Sequence, residues 1–328
     1  MKLSRHFKRI AVPSFYLAAS LFAISAGAQE ITLKAIGAWP QGNFFSVNFE
    51  KFVAKVNAEG KGIVQINYLG GGPKVMPPFE VANAAKTGVA DMVNVAGGFY
   101  TTIMPEADAL SLGNVSAADL RKNGAHEYVN KLWGEKLNVR YLARSIDGVP
   151  INVFLRKPIA KPDLTGFRMR VIPLYRPFME SLNTQSNLTI PPGEVYTALE
   201  RGLLDGYVWP IIGLFDVGIE KQTKYRVEPG FYNVEVGVLI NLDVWKKMTE
   251  QQRAFVEKAA LWMEELNLAN PKLIEEERKK HAAAGIETIT LTGKDAQEYL
   301  AKANDSVWAA MNKRSPEHGP KLHALFVK

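Results

Sequence analysis

The sequence predicts an α/β protein of two similarly built lobes with a long helix bridging both. Three observations carry that expectation. From Glu30 onward, short runs of alternating apolar residues give way to stretches with apolar residues at helical spacing, the succession of an α/β domain with a largely parallel sheet. One short stretch occurs twice, 114 residues apart. An apolar periodic pattern then continues from Thr249 to Ala284, broken at Pro271.

Each element follows from its own residues. Ile31–Ile36 alternates as a strand, and Asn43–Glu59 places Phe44, Val47, Phe49, Phe52, Val53 and Val56 at helical spacing. Gly60 and Gly62 end that helix before a second strand at Ile63–Tyr68. Gly70-Gly71-Gly72-Pro73 and Pro77-Pro78 mark a turn-rich loop ahead of a helix at Phe79–Lys86. The recurring stretch is Glu80-Val81-x-x-Ala84-x-x-x-Gly88-x-x-Asp91, echoed as Glu194-Val195-x-x-Ala198-x-x-x-Gly202-x-x-Asp205. In each copy Glu suits the positive end of a helix, Ala allows close packing on a sheet, and Gly supplies a left-handed helix end. Thr249-x-x-Gln252 forms a capping box for the long helix, which Pro271 should kink. At 1.5 Å per residue its roughly 36 residues span ~54 Å, enough to bridge two lobes. A strand at Ile286–Leu291 and a helix at Lys294–Met311 complete the order, with a solvated tail beyond.

The formal charge of the 328-residue chain is +7, but four basic residues (Lys2, Arg5, Lys8, Arg9) lie in residues 1–28. The run Arg278-Lys279-Lys280 follows Glu275-Glu276-Glu277 and reads as a solvated helix face, so nucleic-acid binding is excluded. The basic start, the apolar run Ile10–Ile24 and Ala26-Gly27-Ala28 have the layout of a signal peptide cleaved after Ala28. Export to the periplasm is expected, with no later segment long and apolar enough to embed the mature protein in a membrane. The absence of cysteine excludes disulfides, thiolate metal sites and a cysteine nucleophile.

Catalytic motifs are missing: there is no Gly-x-Ser-x-Gly, His-Glu-x-x-His, Walker A or Gly-x-Gly-x-x-Gly. His318 and His323 have no acidic cluster around them, so no metal is expected, and no cofactor either. An exported two-lobed protein without a catalytic set points to ligand capture between the lobes. An exported α/β enzyme acting on small acids is the competing reading, and it lacks a nameable nucleophile–base pair.

The run Asp163-Leu164-Thr165-Gly166-Phe167-Arg168-Met169-Arg170-Val171, then Pro192-Gly193-Glu194-Val195-Tyr196-Thr197-Ala198-Leu199-Glu200-Arg201-Gly202, then Leu204-Asp205-Gly206, resembles the solute-binding proteins of TRAP transporters, the DctP family. Val238-Leu239-Ile240-Asn241 before Trp245 fits the same pattern. The resemblance implies a two-lobed periplasmic-binding-protein-like fold with a ligand cleft between lobes. It also implies a receptor that closes on an organic acid and hands it to TRAP membrane permease subunits. A receptor of the same fold that feeds a sensor is the other partner this resemblance allows. By analogy the lobes are residues 29–147 with 236–275, and 148–235 with 276–328.

The resemblance further implies that Arg170, the second basic residue of the family's Gly-x-Lys-x-Arg-Val run, pairs with the ligand carboxylate, Arg168 taking the place of the Lys. A guanidinium fork matches a carboxylate bidentately. Strand alternation puts Arg168 on the same face, so the two remain alternatives here. Sialic-acid-binding relatives carry polar residues where this chain has Trp209, Ala96 and Ala38, and a cleft Phe where it has Gly193. A Glu that helps recruit a metal in other relatives is Val208 here. With Trp39, Phe99, Tyr100, Tyr175 and Trp209 as candidate walls, an apolar or aromatic monocarboxylate is the expected ligand.

Overall fold

The computed structural model describes residues 29–328, so the expected signal peptide lies outside the described residues. β1 (Ile31–Gly37) leads into α1 (Phe44–Glu59), whose cap Asn43 accepts a hydrogen bond from the Phe45 amide. β2 (Val64–Gly71), a 3-10 turn at Pro78–Glu80, α2 (Val81–Lys86) and β3 (Met92–Val95) follow. α3 (Ala109–Leu112), α4 (Ala117–Lys122) and α5 (Ala125–Leu137) precede the 17-residue strand β4 (Val139–Leu155). The second half runs β5 (Arg168–Val171), α6 (Arg176–Ser181), β6 (Ser186–Thr189), α7 (Val195–Glu200), β7 (Gly206–Pro210), β8 (Tyr225–Glu228) and β9 (Phe231–Asn241). α8 (Leu242–Lys247), α9 (Glu250–Glu265), α10 (Asn270–Ala283), β10 (Glu287–Thr290), α11 (Gly293–Arg314) and α12 (Gly319–Phe326) close the chain.

One sheet holds both lobes together. Its strands run β2-β1-β3-β9-β4-β7-β5-β6, with β8 beside β4 and β10 beside β8. β1 pairs in parallel with β2 and β3, and β5 pairs in parallel with β6 and β7. Antiparallel β9 and β4 join these two parallel halves. The β4–β9 register shifts repeatedly between Tyr141 and Ile151, so the sheet bends where it passes from one half to the other.

The duplicated stretch builds the same joint in each half. The Asp91 carboxylate accepts from the Lys34 amide of β1 at 2.7 Å while the Asp91 amide donates to the Lys34 carbonyl at 2.9 Å. Asp205 repeats this with Arg168 of β5, at 3.1 and 2.8 Å. Gly88 and Gly202 follow α2 and α7 at φ values of 74° and 68°, where a side chain would be strained. The echo also extends upstream to Pro77-Pro78 and Pro191-Pro192. The Pro77 and Pro191 carbonyls accept from the Glu80 and Glu194 amides and start the two 3-10 turns.

The long helix is helical throughout but changes pitch. α9 gives way to a 3-10 turn at Leu266–Ala269, and Pro271 sits in the first turn of α10. The break therefore lies a turn ahead of the proline, whose ring obstructs the carbonyl four residues back. The Asn267 and Asn270 side chains donate to the Arg144 and Asp147 carbonyls at 3.2 and 2.8 Å, pinning the break to the bent stretch of β4. Beyond the break, His281 is fully buried between the rings of Phe154 and Phe215. The C-terminal residues correct the expectation of a solvated tail. α12 buries Leu322 and Phe326, and His318 Nδ1 lies 2.9 Å from the Tyr128 hydroxyl.

His281 gives the fold a pH dependence of known sign. Its Nδ1 accepts from Arg226 at 2.8 Å, and burial, with Arg226, Arg278 and Lys280 nearby, pushes the imidazole down to about 4. An unfolded chain takes up this proton near 6.5, so the stabilising contribution is complete above that pH and lost as pH falls towards 4. In urea unfolding, the advantage of the wild type over His281→Gln should shrink by about 2 kcal/mol between pH 7 and 4.5. A difference independent of pH would contradict this.

Candidate functional site

The two halves of the sheet face each other across a cavity with about 470 Å³ of space between atoms, part of it open to solvent. β5 and β7 supply its charged end. Arg170 is opposite Tyr207 in the parallel β5–β7 register and is only 2% exposed. Its Nε donates to the Ile190 carbonyl at 2.9 Å and its Nη1 to the Val208 carbonyl at 3.1 Å. Its guanidinium carbon lies 4.9 Å from the centre of the Trp209 ring. Among the described residues no carboxylate comes within 4 Å of it. Burial without an anion pushes this group down to about 10, against the opposing influence of Tyr175 and Tyr207, so it remains a cation at neutral pH. A desolvated cation held by two neutral carbonyls keeps N–H groups of its fork for an incoming anion.

The remaining walls are mostly apolar. Trp39 lies between Phe45 and Phe99, with ring centres 5.2 Å from each. Ala96, Ile151, Ile172, Leu174, Val234 and Val236 extend this surface. Trp209 Nε1 is buried without a hydrogen-bond partner among the described residues, close to Gly213. Tyr175 also borders the space, its phenol raised in pKa by burial and lowered in part by Arg170. Gly98 stands where the halves touch. A Cβ there would lie 2.7 Å from Ile172 Cδ1 and 3.2 Å from Leu174 Cδ2.

Of the residues singled out from sequence, the fold brings Arg170, Trp209, Trp39, Phe99 and Tyr175 to one cavity. Arg168, Tyr100 and Gly193 do not line it. Arg168 begins β5 on the same pleat face, but its Nε is 2.8 Å from the Asp205 carboxylate, inside the duplicated joint. That pairing holds Asp205 down at about 2. Tyr100 belongs to the core, where its hydroxyl accepts from Trp133 Nε1 at 3.1 Å. Gly193 is exposed and borders a neighbouring opening beside Pro192 and Asp216.

Sequence reasoning missed Glu235. It lines the same cavity, is 1% exposed, and accepts from the Tyr141 hydroxyl at 2.5 Å and the Gly97 amide at 2.8 Å. Burial pushes its carboxyl up to about 7, against the pull of Arg144 and of the two hydrogen bonds. A lone acid in the otherwise apolar run Val234–Ile240, interrupted only by Gly237, was the available signal. Among the described residues no three histidine or acidic side chains gather as a metal site.

Comparison with known proteins places the chain. Residues 38–314 match the family described as bacterial extracellular solute-binding protein, family 7 (DctP). A monocarboxylate 2-oxoacid-binding periplasmic protein of Nostoc is 22% identical over 250 residues, covering 73% of this chain and 67% of that protein. A Bordetella pertussis extracytoplasmic solute receptor binding pyroglutamic acid has the same fold, with a TM-score of 0.79 at 17% identity over 90% of this chain and 99% of that one. A TRAP periplasmic solute-binding protein of Roseobacter denitrificans with bound L-galactonate has a TM-score of 0.75 at 23% identity, covering 91% and 99%. The chain belongs to the DctP family, the solute-binding proteins of TRAP transporters.

Proposed function

We propose that this protein is exported through residues 1–28, captures a monocarboxylate with an apolar or aromatic body between its lobes, and delivers it to a TRAP permease. The lobes are residues 29–147 with 236–275, and 148–235 with 276–328. The observation that carries the ligand class is Arg170, a buried guanidinium without an anion at the end of a cavity walled by Trp39, Phe99, Tyr175 and Trp209. A carboxylate entering there exchanges its hydration for charge-assisted hydrogen bonds and cation–π support. The apolar walls reward the rest of the ligand for leaving water. The relatives that bind 2-oxoacid monocarboxylates and pyroglutamic acid are in keeping with an organic acid.

A thermal-shift screen tests this. Monocarboxylates with a ring or branched body are expected to stabilise the fold more than sialic acid or dicarboxylates do. At one hundred times the dissociation constant the gain is about 2.7 kcal/mol, a readily visible shift. A preference for sugar acids would overturn the reading.

A further inference from the structure

Nothing so far assigns a task to the second buried charge-bearing group of the cavity. Glu235 lies on β9, which crosses between the halves, and among the described residues no cation pairs with it within 4 Å. Arg144, the cation that acts on it most strongly, is committed to Asp147 at 2.7 Å. Arg170 is farther than 4 Å from Glu235 although both border the same space. The groups facing Glu235 are Arg144, Asp147 and Tyr141 on β4, the Gly97 amide at the head of the Gly97–Phe99 turn, and the Tyr100 phenol. Both carboxyl oxygens already accept a hydrogen bond, so an ionised Glu235 presents only negative charge to the cavity.

We propose that Glu235 sets the charge of the ligand: it admits a monoanion seated on Arg170 and rejects a dianion, whose second carboxylate would face its own. This rests on the reading that Arg170 anchors a carboxylate. Like charges enclosed in a small, water-poor cavity repel far more strongly than in water, and one of them must then be neutralised. Glu235 is the group able to do so, since burial pushes its carboxyl up to about 7. Binding even a monoanion therefore draws a proton onto Glu235, and discrimination against dianions strengthens as pH rises. The proton comes from solvent and returns to it on release, so nothing is consumed.

A matched pair of probes reads this out: 4-methylpentanoate and succinate, in which an isopropyl group replaces one carboxylate of the same chain. By titration calorimetry the wild type at pH 8 is expected to favour 4-methylpentanoate by a factor on the order of 10 to 100, less at about pH 6.5, where succinate is still mainly a dianion. In Glu235→Gln the preference should fall at least several-fold at pH 8 and lose its pH dependence. An unchanged ratio in that variant overturns the proposal while leaving the receptor reading intact. Failure of both probes to bind the wild type overturns both. A measurement on the wild type alone guards against a variant that does not fold. Titration of 4-methylpentanoate at pH 7 in phosphate and in Tris should show uptake of a fraction of a proton per ligand, and no uptake overturns the proposal.

Discussion

Replacing Arg170 by alanine is expected to weaken binding of the carboxylate ligand on the order of a hundredfold or more, about 3 kcal/mol. A carboxylate closed into the cavity is stripped of water, and without the guanidinium it has no cation to meet it. Arg170→Lys keeps a charge but loses the planar fork, so an intermediate loss is expected. The fold should survive both changes. The arginine is a desolvated cation that contributes no ion pair, and its two carbonyl partners, Ile190 and Val208, accept from a side chain that carries an uncompensated cost. Titration calorimetry with the unliganded melting midpoint as control decides it. Full affinity in Arg170→Ala would overturn the anchor. Arg168 could not easily replace it, being occupied by Asp205, and Arg156 is turned to the Leu199 carbonyl at 2.8 Å.

A smaller but still large loss is expected from Gly98→Val, by a different route. The hydrogen of Gly98 is what lets the first half of the molecule meet Ile172 and Leu174 of the second. A branched side chain there cannot be absorbed by one flexible tip, because the Leu174 Cβ is also within 3.3 Å of the new Cβ position. The halves are then wedged apart while each half keeps its own packing. Affinity should fall at least tenfold with little change in thermal stability, and small-angle scattering should show less compaction on ligand addition than in the wild type. Wild-type affinity in this variant would mean that the Gly98 contact plays no part in enclosing the ligand.

Most of the first half was legible in the sequence, because α1 and the strands beside it are regular and one-sided. The helix from Phe44 to Glu59 puts Phe49, Phe52, Val53 and Val56 inward at the spacing its periodicity announces, although in its first turn Phe45 is buried and Phe44 and Val47 are only half-buried. The duplicated stretch also announced its joints, since Glu, Ala, Gly and Asp each act locally. Less legible was anything depending on where strands cross. Alternation alone leaves Arg168 and Arg170 equivalent, and only the position of Asp205 separates them. Tyr100 and Tyr175 look alike as aromatic residues near turns, yet one meets Trp133 in the core and the other faces the cavity. Glu235 reaches the cavity because β9 passes between the halves, a fact of sheet order rather than of local sequence.

That placement of β9 has a consequence for how the molecule assembles. β9 fills the centre of the sheet, pairing Met92 with Ile240 on one side and Tyr141 with Leu239 on the other, although eight strands precede it in the chain. Until residues 231–241 are available, β3 and β4 have no common neighbour, and the two halves have no seam. Loop closure over such separations is slow compared with helix or hairpin formation. A chain that cannot close its central seam until most of it exists stays threadable for longer, which suits the export across a membrane proposed for it.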